Sequence, residues 1–131
     1  RFAIAGDRCG QPYEWVPGST RLCGNTSGAS DEYVSSCQAD TDNDRVYYVV
    51  VPTTATVGFT TCDGSTNYNT LLYLRRACGD PATEVSCNND DGGCSPSTRS
   101  RLPATSLSPG IYYLFVDGID WFDGDYCVNV F

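Results

Sequence analysis

Carboxylates gather in three places along this 131-residue chain. Asp40-Thr41-Asp42-Asn43-Asp44 alternates acidic and polar residues, Asn88-Asn89-Asp90-Asp91 forms a compact polar run, and Asp117, Asp120, Asp123 and Asp125 follow one another at short intervals. Oxygen-rich clusters suit calcium, which takes about six to eight oxygen ligands in flexible geometry. The first cluster opens like an EF-hand loop, but Arg45 stands where Gly is required and Val51 where the bidentate Glu belongs, so it is not one. Asp and Asn also serve simply to bond the local backbone of turns. If the second and third loops lie at one end of the fold, Asn88, Asp90, Asp91, Asp117 and Asp123 are the candidate calcium ligands, because carboxylates converging there would repel one another without a cation.

Catalysis is harder to build from these residues. The chain has no His, which removes Ser-His-Asp and Cys-His nucleophiles. Paired carboxylates could hydrolyse a glycoside, yet every candidate pair sits in a turn-rich loop with no cleft implied. Cys62-Asp63-Gly64-Ser65 is not an aspartic-protease motif, because Gly follows the Asp directly. A non-enzyme is the expectation. Asn25-Thr26-Ser27 has the pattern of an N-glycosylation acceptor. Eight basic residues, all Arg, against sixteen acidic ones give a net charge of −8, which leaves no basic stripe for nucleic acid. No apolar run approaches the roughly 20 residues of a membrane span.

The eight cysteines are Cys9, Cys23, Cys37, Cys62, Cys78, Cys87, Cys94 and Cys127. An even count without a CxxC pair or any His favours disulfides over zinc and points to an oxidising compartment. A secreted or surface-bound protein is therefore expected, and the start at Arg1 suits a mature product after signal removal. Spacing alone suggests one pairing, Cys78 with Cys87, across the turn-like Gly79-Asp80-Pro81.

Short strands separated by Gly, Pro, Asn and Asp must position these groups. Val46 to Val51, Thr56 to Thr61, Thr70 to Arg75, Thr83 to Cys87, Ile111 to Val116 and Asp125 to Val130 read as strands, with a polar loop from Asn88 to Ser97. No stretch has the capped 3.6-residue periodicity of a helix. The expected fold is all-β: an antiparallel, jelly-roll-like β-sandwich forming a single domain over 1–131, with an irregular, disulfide-pinned N-terminal segment over 1–44 and the sandwich over 45–131. Alternation puts Val46, Tyr48 and Val50 on one face, with Leu72 and Leu74, Tyr112, Leu114 and Val116, and Tyr126, Val128 and Val130 as the matching sets. Tyr47, Tyr73, Tyr113 and Phe115 then face outward. Either the N-terminal segment covers them or they form an interaction surface for sugar or protein partners.

The order of several short motifs suggests a family. Asp44-Arg45-Val46-Tyr47, Thr60-Thr61-Cys62-Asp63-Gly64-Ser65 and Asn69-Thr70-Leu71-Leu72-Tyr73-Leu74 come first. Cys78, Cys87-Asn88-Asn89-Asp90-Asp91, Ser100-Arg101-Leu102, Pro109-Gly110-Ile111-Tyr112-Tyr113, Val116-Asp117-Gly118 and Gly124-Asp125-Tyr126 follow. From about Asp44 to Val130 the chain resembles the bacterial pre-peptidase C-terminal domain and its cysteine-rich relatives. The resemblance implies a non-catalytic jelly-roll-like sandwich of secreted proteins, some of which bind collagen or other matrix and take calcium. Asn69 stands where that family commonly has Asp, and residues 1–44 match no part of it.

Two functions from different classes follow. One is a structural module whose copies assemble into an extracellular polymer or surface layer, with Phe2-Ala3-Ile4-Ala5 added as a strand to a neighbour's sheet. In that case Phe2, Ile4, Tyr47, Tyr73 and Tyr113 are the interaction residues, and Arg75, Arg76, Arg99 and Arg101 meet an acidic face on the next copy. The other is an accessory domain that holds a secreted hydrolase on extracellular matrix or polysaccharide.

Overall fold

The computed structural model describes residues 6, 8–29, 33–37, 43–119 and 122–131. Nine strands make two sheets. β1 (Tyr13–Glu14), β3 (Arg45–Val51), β5 (Thr70–Arg75), β6 (Glu84–Asn88) and β8 (Gly110–Gly118) form a five-stranded sheet in the order β1-β3-β8-β5-β6. β2 (Arg21–Asn25), β4 (Ala55–Thr60), β7 (Arg101–Leu107) and β9 (Asp125–Val130) form the second, in the order β2-β9-β4-β7. All pairings are antiparallel except β1 with β3. The expected all-β sandwich is the observed architecture, and the six strands read from the β-branched and aromatic runs all form.

Three strands escape that reading. β1 and β2 lie within the segment expected to be irregular, and β2 runs through Arg21-Leu22-Cys23-Gly24-Asn25, which has no apolar alternation to betray it. β7 contains Pro103, a residue that argues against a central strand. It is tolerated because β7 is an edge, and because the register shift between Val57 and Phe59 leaves Pro103 and Ala104 in a bulge outside the ladder.

Between the sheets pack Trp15, Tyr47, Val49, Phe59, Leu72, Leu74, Leu102, Tyr112, Leu114, Val116, Tyr126 and Val128, among others. The sets on β5, β8 and β9 face inward as their alternation requires. β3 is reversed. Tyr47, Val49 and Val51 point into this core, whereas Val50 on the other face is 53% exposed. An uninterrupted run of apolar residues carries no alternation, so its period cannot tell one face from the other. Tyr47 closes the interior by a 2.7 Å hydrogen bond between its hydroxyl and that of Tyr126.

The outer face of the five-stranded sheet has a core of its own. Val46, Leu71, Tyr73, Phe115 and Ile119 are buried there against Cys9, Tyr33, Cys78 and Cys87. The N-terminal segment lies over them as a strap, so Tyr73 and Phe115 are covered rather than offered to a partner. Tyr33 sets its ring 5.1 Å from Phe115 and donates its backbone N–H to the buried Asp44 carboxylate. Two disulfides fasten the strap, Cys9–Cys78 and Cys37–Cys87, while Cys23–Cys127 and Cys62–Cys94 lie elsewhere. The pairing of Cys78 with Cys87 is therefore incorrect. The β5–β6 register sets Cys87 opposite Tyr73, well back along the hairpin from Cys78, and each sulfur meets the strap instead.

Arg75 is likewise not a surface cation. It is 2% exposed, with its guanidinium 5.0 Å from the ring centres of both Tyr73 and Phe115. It donates to the carbonyls of Cys78 and Val34, and Glu84 lies 3.8 Å from its Nε. One buried cation thus joins sheet, hairpin and strap, its charge offset by aromatic faces, carbonyl dipoles and a carboxylate.

Candidate binding groove at one end of the sandwich

Three connections meet at the end of the sandwich where β5 and β7 begin and β6 and β8 finish. The 62–69 and 89–100 loops are joined by the Cys62–Cys94 disulfide, Cα to Cα 5.8 Å. Beneath them Thr61, Thr70 and Ser100, all fully buried, form a closed hydroxyl network. The Thr61 and Thr70 hydroxyls lie 2.7 Å apart, the Thr70 hydroxyl donates to Ser100 Oγ at 3.0 Å, and Ser100 Oγ donates to the Thr70 carbonyl at 2.7 Å. Buried hydroxyls that satisfy one another cost little and fix the loop bases rigidly.

Phe122, in the β8–β9 connection, lies against this platform. Phe122 donates its N–H to the Ile119 carbonyl at 2.9 Å, and its own carbonyl passes so close to Gly118 that a Cβ there would sit 2.0 Å away. At the other end Gly124 has φ +155°, and a Cβ would come within 2.4 Å of Asn67 Oδ1. Asn67 needs that approach, since its Oδ1 accepts from the Asp125 N–H at 2.9 Å. Two positions without side chains therefore let the loop turn tightly, leaving the Phe122 ring 50% exposed beside the platform.

The result is an open groove of about 470 Å³ lined by Thr66, Asn67, Asn69, Pro96, Thr98, Arg99 and Phe122, with Gly64 and the buried Tyr68 completing it. Burial pushes the Tyr68 hydroxyl far above its ordinary pKa, so this residue stays neutral. Arg99 is held from both walls: Nε and Nη2 donate to the Thr66 carbonyl at 3.2 and 2.8 Å, and Nη1 to the Ser95 carbonyl at 3.0 Å. A guanidinium has five N–H groups, so one on each Nη is unused among the described residues. No carboxylate lines the groove among the described residues. The described lining offers an oriented cation, an aromatic face and side-chain amides.

The acidic loops reach this same end, and their described side chains are held by local bonds. Asp91 accepts from the Gly93 N–H, Asn88 from the Arg101 N–H, and Asp117 from the Tyr73 hydroxyl and the Gly118 N–H. Asp123 takes bonds from Ser27 Oγ and Asn43 Nδ2, and Asp125 from Asn25 and Asn67. Asp90 is exposed on the β6–β7 loop, its carbonyl accepting from Asn88 Nδ2. Among the described residues no three Cys, Asp or Glu side chains stand together as a metal cage. Asp40, Asp42 and Asp120 lie outside the described residues, as do Phe2 and Ile4. Asn25 is exposed at the end of β2, with Nδ2 on Asp125 at 2.7 Å and Oδ1 accepting from Ser27 N–H. Of the outward tyrosines, Tyr47 and Tyr73 are buried, and Tyr113 is half-buried opposite Tyr48.

Sequence reasoning found neither Arg99 nor Phe122 as partners in a groove. The signal present was Gly118 and Gly124 bracketing Phe122, a spacing that frees a short loop to double back.

Among solved structures, the fold is similar to the crystal structure of the pre-peptidase C-terminal domain of a collagenase from Bacillus anthracis. The two superpose with a TM-score of 0.57 and 20% identity over 86% of this chain and 88% of that one. The fold of that domain is therefore the fold of this chain. No family model matches the sequence, and no curated protein matches it.

Proposed function

We propose that this chain is a non-catalytic extracellular binding module, the accessory part of a secreted hydrolase that holds its enzyme on an extracellular polymer. The observation that carries the reading is the end groove, where a cation without a carboxylate partner and a half-exposed aromatic ring are fixed on a disulfide-braced platform. A rigid, open site with few polar groups suits recognition of a chain passing through it, because little ordering entropy is lost on binding. Four disulfides fit an oxidising, extracellular setting. The fold shared with a collagenase domain suits the same role.

The test is cosedimentation of the purified module with insoluble collagen, chitin, cellulose and pectin. Saturable retention on one of them, lost in Phe122→Ala, is expected; free passage over all four overturns the reading.

A second reading, assembly with copies of itself, draws on Val50 and Ile111. They are paired across β3 and β8, are 53% and 51% exposed, and lie on the stretch of outer sheet beyond the strap. Sedimentation across a concentration series tests it, and Val50→Asp should abolish any association seen.

A further inference from the structure

The chemistry of the groove narrows what passes through it, on the premise that the groove is the binding site. We infer that its ligand is an acidic polysaccharide built of uronate residues. Three observations lead there. In a protein of net charge −8, the groove has an arginine and no carboxylate among its described lining residues. The two unused Arg99 N–H groups could donate to a carboxylate, and such charge-assisted bonds are the strong ones.

The lining, second, is poorly suited to a peptide backbone. Asn67 is committed to Asp125, its Oδ1 accepting from the backbone N–H and its Nδ2 donating to the carboxylate. A peptide brings N–H groups that need acceptors, normally supplied by a free strand edge, and the groove is walled by loops. A uronate sugar brings carboxylate, ring and hydroxyl oxygens, all able to accept. Phe122 and Pro96, third, present apolar surfaces against which the C–H face of a pyranose ring can pack. Long-range repulsion between an acidic protein and an acidic polymer is screened beyond about 8 Å at physiological salt, whereas the short contact to Arg99 is not.

The experiment is calorimetric titration of the intact, disulfide-bonded protein with trigalacturonate, its neutral counterpart trigalactose, and an Asp/Pro-rich collagen peptide. Trigalacturonate is expected to bind at least about tenfold more tightly than trigalactose. Arg99→Lys should remove most of that preference, because a lysine cannot form the planar fork. Phe122→Ala, a change at an exposed ring, should weaken trigalacturonate about fivefold or more while the melting temperature holds. Equal affinity for the acidic and neutral sugars overturns the inference, as does tighter binding of the collagen peptide; in both cases the binding-module reading stands. Should none of the three bind and the cosedimentation also fail, that reading falls with it.

Discussion

Asp63 illustrates how much one exposed-looking turn residue does. Its carboxylate takes a two-point bond from Arg21, at 2.8 and 3.1 Å, and further bonds from Asn129 Nδ2 and the Ser65 N–H. These donors, Arg21 foremost, hold its pKa well below the usual carboxylate range. A lowered folded-state pKa stabilises the fold fully above the unfolded value near ~3.9, and the gain is lost as pH falls below that toward the folded value. Melting temperatures taken from pH 5 to pH 2 should therefore fall less steeply in Asp63→Asn than in the wild type. Because Arg21 is half exposed, solvent screening keeps the effect small. Gly124 acts through space rather than charge. Gly124→Ala must both tolerate φ +155° and displace Asn67, so a loss of about 1–3 kcal/mol in denaturant unfolding is expected. An unchanged midpoint would show that the loop can yield there.

Among the elements, legibility depended on whether a strand alternates. Leu72 and Leu74 on β5, and Tyr112, Leu114 and Val116 on β8, declared their inner face because the pleat is written in residue type. β3 did not, since Val46 through Val51 is apolar on both faces, and it is buried on both at its first half. β2 was hidden for the opposite reason: it is a half-exposed edge held by β9 and the Cys23–Cys127 bridge rather than by apolar side chains. The groove was unreadable because it is assembled from three connections distant in sequence, and Arg99 acquires its meaning only from carbonyls at Thr66 and Ser95. The strap yields its own prediction. Replacing Cys9 and Cys78 together with Ser removes a bridge spanning 69 residues and should cost about 2–4 kcal/mol. If the strap also lifts, the Tyr73–Phe115 stack becomes reachable and a hydrophobic dye should bind to protein that keeps its far-ultraviolet dichroism; no dye binding would mean that Cys37–Cys87 and Arg75 hold it alone.

Taken whole, the molecule is a three-layer object: strap, five-stranded sheet, four-stranded sheet. Its interior holds phenols that are costly to ionise. Burial pushes Tyr47 up to about 12, and Tyr73 and Tyr126 are raised well above 10 for the same cause. A raised folded-state pKa gives stability that is complete below about pH 10 and disappears as pH climbs through the folded values. Alkaline unfolding should start near pH 10, and spectrophotometric titration should show these rings ionising only as the near-ultraviolet dichroism collapses. Smooth, reversible ionisation of every tyrosine in a folded protein would contradict the burial described.

The Cys23–Cys127 bridge joins positions 104 residues apart and directly opposite one another on β2 and β9. Mechanically it is a short circuit. Tension applied between the chain's first and last residues runs from β2 across the two sulfurs to β9, and everything from β3 to β8 hangs beside that line of force instead of within it. Stretching the molecule end to end would load β1 and the other residues outside the bridge, with Cys9 still tied to Cys78, while the strands from β3 to β8 and the groove stay out of the direct line of force. On the proposed function, a module braced in this way would keep its hold on a polymer under shear that would unravel an unbridged sandwich of the same size.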